Sequence, residues 1–124
     1  MNYVLTNNPK VKQRLEDQIE VKYFDVSLYE IIKRTRDAIH KGDELLTHPL
    51  SSSIKPNETP YKSVVLKEGN LVCLDSVKII EESIQVAEKF LNDFVTPDWT
   101  EKVLDDFQTI DLSVLENALQ NMLF

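Results

Sequence analysis

Glycine is scarce in this chain, which has only Gly42 and Gly69 among its 124 residues. The dinucleotide-binding loop GxGxxG and the phosphate-binding loop GxxxxGK[ST] both need several glycines close together, because the backbone must approach the phosphates closely. Neither loop can be formed here. Any anion site must therefore be built from a helix start, hydroxyl groups and a cationic side chain.

Cysteine and histidine are also scarce, since Cys73 is the sole cysteine and His40 and His48 are the only histidines. One cysteine excludes an internal disulfide and any CxxC metal or redox pair. Two histidines without an HExxH motif argue against a zinc site. We therefore predict no metal and no cofactor, and the single unpaired thiol agrees with a cytoplasmic protein.

Long apolar runs are absent, and the negative charge is concentrated at one end. No run approaches the roughly 18 apolar residues of a membrane span, and the opening MNYVLTNNPK lacks the features of a signal peptide. The net charge of the chain is -7, and residues 75–124 hold 11 acidic side chains but only 3 basic ones. Such a surface repels nucleic-acid phosphates and anionic lipids. We expect no nucleic-acid and no membrane partner, and we interpret the acidic helices mainly as solvated faces.

The apolar patterns predict one α/β domain over residues 1–124. Residues 3–6, 19–23 and 44–47 are typical of strands, and two amphipathic helices separate them. This β-α-β-α-β order is characteristic of a parallel sheet with right-handed crossovers. Residues 62–66 and 71–74 then predict a β-hairpin. The last third predicts a long helix followed by two shorter ones, the second of which begins at a capping box of Ser113 and Glu116. We expect three layers, with helices on both faces of a short, mainly parallel sheet.

Polar residues follow two of the predicted parallel strands. In open α/β sheets, ligands bind beyond the carboxyl ends of such strands, so a strand order of 2-1-3 would bring these residues together. The hydroxyls of the serine run and the ammonium of Lys55, in the proline-rich loop 47–62, would then hold a carboxylate or phosphate. The predicted ligand-binding residues are Thr6, Asn7, Asn8, Thr47, His48, Ser51, Ser52, Ser53, Lys55 and Asn57.

Each part of this predicted site has a second interpretation. Asn8 before Pro9 is more often a helix cap than a ligand, and the serine run can be a flexible surface stretch. His48 either bonds a loop carbonyl or acts as an acid–base group, because imidazole changes charge near neutral pH. The second role for His48 would make the protein a small transferase or hydrolase acting on a phosphorylated or carboxylate metabolite. The apolar end, Met122 to Phe124, instead favours a homodimer contact.

Three strings of residues give the chain a recognisable pattern. They are THPLSSSIKPNETPYKSV over residues 47–64, TNNP over residues 6–9, and DFQTIDLSVLENAL over residues 106–119. The chain resembles the GrdX family over nearly its full length; these are small proteins named for their occurrence beside glycine reductase genes in amino-acid-fermenting anaerobes. The resemblance implies a bacterial, cytoplasmic protein linked to glycine reductase, whose chemistry involves amino-acid carboxylates and acyl phosphates. A small anion of that kind, or a glycine reductase component, is the expected partner.

Overall fold

A four-stranded mixed sheet forms the centre of the molecule in the computed structural model, which describes residues 1–51 and 54–122. The elements are β1 (Asn2–Thr6), α1 (Pro9–Leu15), β2 (Glu20–Tyr23), α2 (Leu28–His40), β3 (Glu44–Leu45), β4 (Ser63–Lys67), α3 (Leu74–Asp93) and α4 (Glu101–Met122). The predicted α/β class is confirmed.

The strand order is β2-β1-β4-β3, and only one of its three pairs is parallel. β1 runs parallel to β2, whereas β4 is antiparallel to both β1 and β3. The predicted mainly parallel arrangement is therefore wrong, and the order 2-1-3, which would have placed β1 beside β3, does not occur. The reason is β4, whose Val64, Val65 and Leu66 are fully buried. A strand that is apolar on both faces favours a central position in a sheet, and β4 accordingly separates β1 from β3.

The predicted β-hairpin is also wrong, because its second strand does not form. Leu71 and Leu74 are 83% and 79% exposed, and α3 begins at Leu74 with Cys73 as its N-cap. A run of only four apolar residues does not distinguish a strand from the start of a helix. The first turn of α3 joins the edge of the sheet, since the backbone N–H of Leu45 donates to Oγ of Ser76 at 3.0 Å.

Helices cover both faces of the sheet, and alternate side chains of each strand enter different cores. Tyr3 and Leu5 of β1 pack with the apolar sides of α2 and α3, whereas Val4 packs with Val65 against α1 and α4. This alternation is what the two-residue period of a strand requires. In the part of the chain that the structure describes, no helix has both the length and the apolar character needed to cross a membrane.

The C-terminal region forms one helix, α4, where two shorter helices were predicted. Ser113, the predicted cap of the second helix, lies inside α4, and Leu115 is buried beyond it. No glycine or proline occurs between residues 101 and 122 to end the helix, so the capping-box pattern alone does not interrupt it. Leu123 and Phe124, part of the predicted dimer contact, lie outside the described residues.

The two glycines contact each other through their backbones. A Cβ at Gly69 would lie 2.6 Å from the carbonyl oxygen of Gly42, and Gly42 has a φ of +118°. A Cβ at Gly42 would also lie 2.8 Å from the carbonyl carbon of Asn70. Side chains are strained at such a φ, so the turn after α2 and the turn after β4 can pack this closely only with glycine at both positions.

Candidate functional site

An open groove of about 610 Å³ lies between the segment after β3 and the C-terminal half of α4. We call it the α4 groove; it is lined by Leu46, Thr47, His48, Ser51, Val114, Asn117, Ala118, Asn121 and Met122. Next to it is a narrow inner recess lined by Lys62, Ser63 and Asp111, among others. Thr47, Ser51, Val114 and Ala118 line both spaces, so the inner recess adjoins the α4 groove.

The sheet topology brings the parts of this site to one edge. β1 and β3 are both antiparallel to β4, so they run in the same direction. β1 ends where β4 begins, and the segment after β3 continues towards that edge, where Oγ1 of Thr47 accepts from the N–H of Val65. Thr6 at the end of β1 is paired with Ser63 at the start of β4. The polar segments after β1 and β3 therefore lie at the same edge of the sheet, with β4 between them.

A chain of hydrogen bonds crosses this edge from α1 to α4. The backbone N–H of Asn8 donates to Oγ1 of Thr6 at 2.9 Å, and Oγ1 of Thr6 lies 2.6 Å from Oγ of Ser63. Ser63 in turn donates to Oδ2 of Asp111 at 2.6 Å. Because a carboxylate only accepts hydrogen bonds, the Ser63 hydrogen points to Asp111 and the Thr6 hydroxyl donates to Ser63.

The side chain of Asn8 adds a second attachment of α4 to this edge. Its Nδ2 donates to Oδ2 of Asp111 at 3.0 Å and to the carbonyl oxygen of Gln108 at 2.9 Å. Its Oδ1 accepts from the backbone N–H of Lys10 at 3.0 Å. Asn8 is therefore the N-cap of α1 and also binds α4, so its polar atoms stabilise the fold and do not form an open anion site.

Lys62 is the buried cationic residue of the inner recess. Only 4% of it is exposed, and burial lowers the pKa of its ammonium, while the Asp111 carboxylate acts in the opposite direction. Among the residues that the structure describes, none forms a hydrogen bond or an ion pair with Nζ of Lys62. A buried charge without such a partner is costly, so the Lys62 side chain is well placed to interact with a ligand.

Asn7 fixes the backbone of Lys62. The Lys62 N–H donates to Oδ1 of Asn7 at 2.9 Å, and Nδ2 of Asn7 donates to the carbonyl oxygens of Val26 and Pro60, each at 2.8 Å. Thr6, Asn7 and Asn8 are all buried. The structure thus places these three predicted ligands beneath the site, where they hold its residues in position.

Three residues of the predicted loop site line the α4 groove: Thr47, His48 and Ser51. Oγ1 of Thr47 accepts from the backbone N–H of Val65 at 2.9 Å, which leaves its hydroxyl hydrogen available. Nδ1 of His48 accepts from the N–H of Leu50 at 3.0 Å, so in the neutral ring Nε2 carries the hydrogen. The imidazole is exposed to solvent.

The other predicted loop residues do not join this group. Lys55 is exposed and Asn57 is buried, and neither lines the α4 groove or the inner recess. In the described part of the chain, Oδ1 of Asn57 is buried without a hydrogen-bond partner. Ser52 and Ser53 lie outside the described residues. The cationic residue at the site is thus Lys62, where Lys55 was predicted.

Lys62, Ser63 and Asp111 were missed as site residues, although one signal for Asp111 was present. Asp111 precedes Leu115 by four residues, so both lie on the same face of a helix, and Leu115 is buried. A carboxylate on an apolar helical stripe needs a polar partner inside the protein. Lys62 had no comparable signal, because a lysine next to a strand is usually exposed.

A second depression, of about 310 Å³, lies between β2 and α2. Three of its polar groups contact neighbours: Nζ of Lys22 is 4.0 Å from the centre of the Tyr3 ring, the Tyr3 hydroxyl donates to Asp43 at 2.5 Å, and Nε of Arg34 lies 3.6 Å from Oε1 of Glu30. Burial and this hydrogen bond raise the pKa of Tyr3. We therefore regard the α4 groove as the candidate site.

Comparison with known proteins gives a match to a family. A family model described as GrdX-like protein matches residues 3–120, which include the edge of the sheet, the inner recess and nearly all of α4. No curated protein and no solved structure is significantly similar to the chain. The match covers the whole of the described site apart from its last two α4 residues, Asn121 and Met122.

Proposed function

The chain belongs to the GrdX-like family, which implies an association with glycine reductase, and on this basis we propose that it is an accessory protein that binds a small carboxylate or phosphate in the α4 groove. The observation that carries the proposal is the buried Lys62 at the inner recess. A bound anion would offset the cost of burying the ammonium, because charge-assisted hydrogen bonds are stronger than neutral ones.

The lining of the α4 groove supports a small polar ligand. Thr47 and Ser51 offer hydroxyls, and Asn117 and Asn121 offer amide N–H groups on α4. The volume of about 610 Å³ falls within the range of small-molecule sites. Asp111 would repel an anion, but its Oδ2 already accepts hydrogen bonds from Ser63 and Asn8, which reduces this repulsion.

Binding measurements on matched lysine variants test the proposal. Titration calorimetry with glycine, acetate, acetyl phosphate and inorganic phosphate should detect binding of at least one by the wild type. Lys62→Met should weaken that binding by about tenfold or more, the value of one charged hydrogen bond. Lys55→Met, in the same loop but exposed, is the control and should leave affinity unchanged. Absence of binding in the wild type, or equal losses in the two variants, would contradict the proposal.

A second candidate function is a small enzyme in which His48 transfers protons. The observation that favours it is the position of His48 on the wall of the α4 groove, with Nδ1 held by Leu50 and Nε2 left as the hydrogen-bearing atom. Such an enzyme would lose turnover in His48→Gln while keeping its circular dichroism and its ligand affinity. Turnover that survives His48→Gln would exclude this role.

A further inference from the structure

We propose that Lys62 captures small aldehydes and ketones covalently, by forming an imine in the inner recess. This rests on the proposed function in one respect, since the α4 groove must admit a small ligand. It adds a chemical class, the carbonyl compounds, and a covalent bond to a named atom, Nζ of Lys62.

The position of Lys62 suits such a reaction. Its side chain is 4% exposed and lines the inner recess, while its backbone is held from both sides by Asn7. A fixed backbone limits the positions that the amine can take, and positioned groups react faster than freely moving ones.

The surroundings of Lys62 also favour the reactive form of its amine. Only an unprotonated amine attacks a carbonyl carbon, and desolvation of a lysine in an apolar environment is one way of activating it. Burial lowers the pKa of Lys62 by more than the Asp111 carboxylate raises it, so at any given pH a larger fraction of it is neutral than of an exposed lysine.

The reaction balances without an oxidant or a reductant. The lone pair of Nζ forms a bond to the carbonyl carbon, the C=O π bond breaks, and the oxygen takes up a proton as nitrogen loses one. The C–O bond of this carbinolamine then breaks, and water leaves as nitrogen loses its second hydrogen. Ser63, hydrogen-bonded to both Thr6 and Asp111, is a hydroxyl in the same recess through which these protons can pass.

The dimensions of the site restrict the carbonyl compound. The inner recess offers about 10 Å³, close to the room for one water-sized group, whereas the α4 groove is much larger. A carbonyl group fits the recess, and the remainder of the molecule would lie in the groove near Ser51, Asn117 and Asn121. Small 2-oxo acids combine the carbonyl with a carboxylate for these hydrogen-bond donors.

Reductive trapping tests the inference on the intact protein. The wild type is incubated with glyoxylate or pyruvate near neutral pH, borohydride is added, and intact mass and peptide mapping locate the adduct. We expect one reduced adduct per chain on the peptide that contains Lys62, and several-fold less label on exposed lysines such as Lys55. Lys62→Arg keeps a cation but cannot form an imine, so it should lose this label, whereas Lys55→Met should retain it.

Two outcomes would overturn the inference, and each is distinct from failure of the proposed function. One is the absence of any adduct, and the other is a label spread evenly over the exposed lysines. Mapping is done on the wild type, so neither outcome depends on whether a variant folds. Acetate and glycine have no carbonyl that forms an imine, so their binding tests the anion site separately. A protein that binds acetate without trapping glyoxylate keeps the proposed function and loses this inference.

Discussion

Ser63 donates a 2.6 Å hydrogen bond to Oδ2 of Asp111, 48 residues further along the chain. Ser63 begins the central strand β4 and Asp111 lies in the middle of α4, so this bond joins the sheet to its last helix. Asn8 donates to the same oxygen. The position of α4 on the sheet is thus fixed by directional polar contacts as well as by apolar packing, and this position sets the shape of the inner recess.

Removal of the Asp111 carboxylate should destabilise the protein. In Asp111→Ala, the Ser63 hydroxyl and the Asn8 amide lose their acceptor, and an unsatisfied buried group costs about 1–3 kcal/mol. Urea unfolding followed by circular dichroism measures this loss. Asp106→Ala is the matched control, because Asp106 is exposed on the same helix in a 3.7 Å ion pair with Lys102. The control should change the unfolding free energy by about 0.5 kcal/mol or less; equal effects would contradict the role of Asp111.

The stability of the protein should depend on pH through Lys62. Burial lowers the pKa of Lys62 in the folded state from the ordinary 10.5. At a pH between the folded-state and unfolded-state pKa values, the unfolded chain therefore binds more protons than the folded protein. The free energy of unfolding contributed by this group therefore rises with pH in that window. Compared with Lys62→Met, the wild type should gain stability as the pH rises from 7 towards 10.

Comparison of variants isolates this effect of Lys62, because each variant shares every other ionisable side chain with the wild type. Urea unfolding at pH 7 and pH 10 is measured for the wild type, Lys62→Met and Lys55→Met. Lys55→Met removes an exposed lysine from the same loop and is the control for the loss of one positive charge. If the unfolding free energies of the wild type and Lys62→Met differ by the same amount at both pH values, the Lys62 amine titrates in the folded protein as it does in the unfolded chain, and the prediction is contradicted.

Addition of one methyl group at Gly69 should destabilise the contact between the two turns. A Cβ there would lie 2.6 Å from the carbonyl oxygen of Gly42, and backbone atoms cannot move aside cheaply. Overpacking of this kind typically costs about 1–3 kcal/mol, so Gly69→Ala should lower the melting temperature. Glu68→Ala changes the preceding, exposed residue and should have little effect. Similar melting temperatures for the wild type and Gly69→Ala would show that the turns separate at little cost.

The sole tryptophan, Trp99, should stabilise the loop before β4. The indole N–H of Trp99 donates to the carbonyl oxygen of Glu58 at 2.7 Å, and its ring lies 5.6 Å from that of Phe107. Trp99→Phe removes the hydrogen bond and keeps the aromatic contact, so it should cost about 0.5–1.5 kcal/mol. Val95→Ala, at a highly exposed neighbour, is the control. If Trp99→Phe unfolds at the same urea concentration as wild type, the bond to Glu58 contributes nothing to stability.

The sequence predicted most elements but not the way in which the strands pair. β1, β2 and the first two helices have clear apolar periods, and Asn8 occupies the N-cap position predicted for it. Pairing is a long-range property: the insertion of β4 next to β1 joins residues about 60 positions apart, such as Val4 and Val65, and no local pattern encodes it. The prediction of a mainly parallel sheet is wrong because local patterns do not determine which strands pair.

Three of the predicted loop residues line the α4 groove, but the buried lysine beside it was not predicted. Thr47, His48 and Ser51 do line a groove at the predicted edge of the sheet, since both polar segments follow strands that run in the same direction. The choice of Lys55 over Lys62 could not be avoided, because side-chain burial depends on α4, which packs from a distant part of the chain. Ligand binding by these residues stays a prediction.

The position of α4 in the chain has a consequence for biosynthesis. During translation, residues 101–122 emerge after the other described strands and helices. The face of the sheet that contains Val4 and Val65 therefore lacks its contacts with α4 until all four strands have been synthesised. An apolar face left open on a nascent chain is prone to aggregation and to capture by chaperones. The yield of folded protein in the cell should therefore depend on how quickly α4 docks on the sheet.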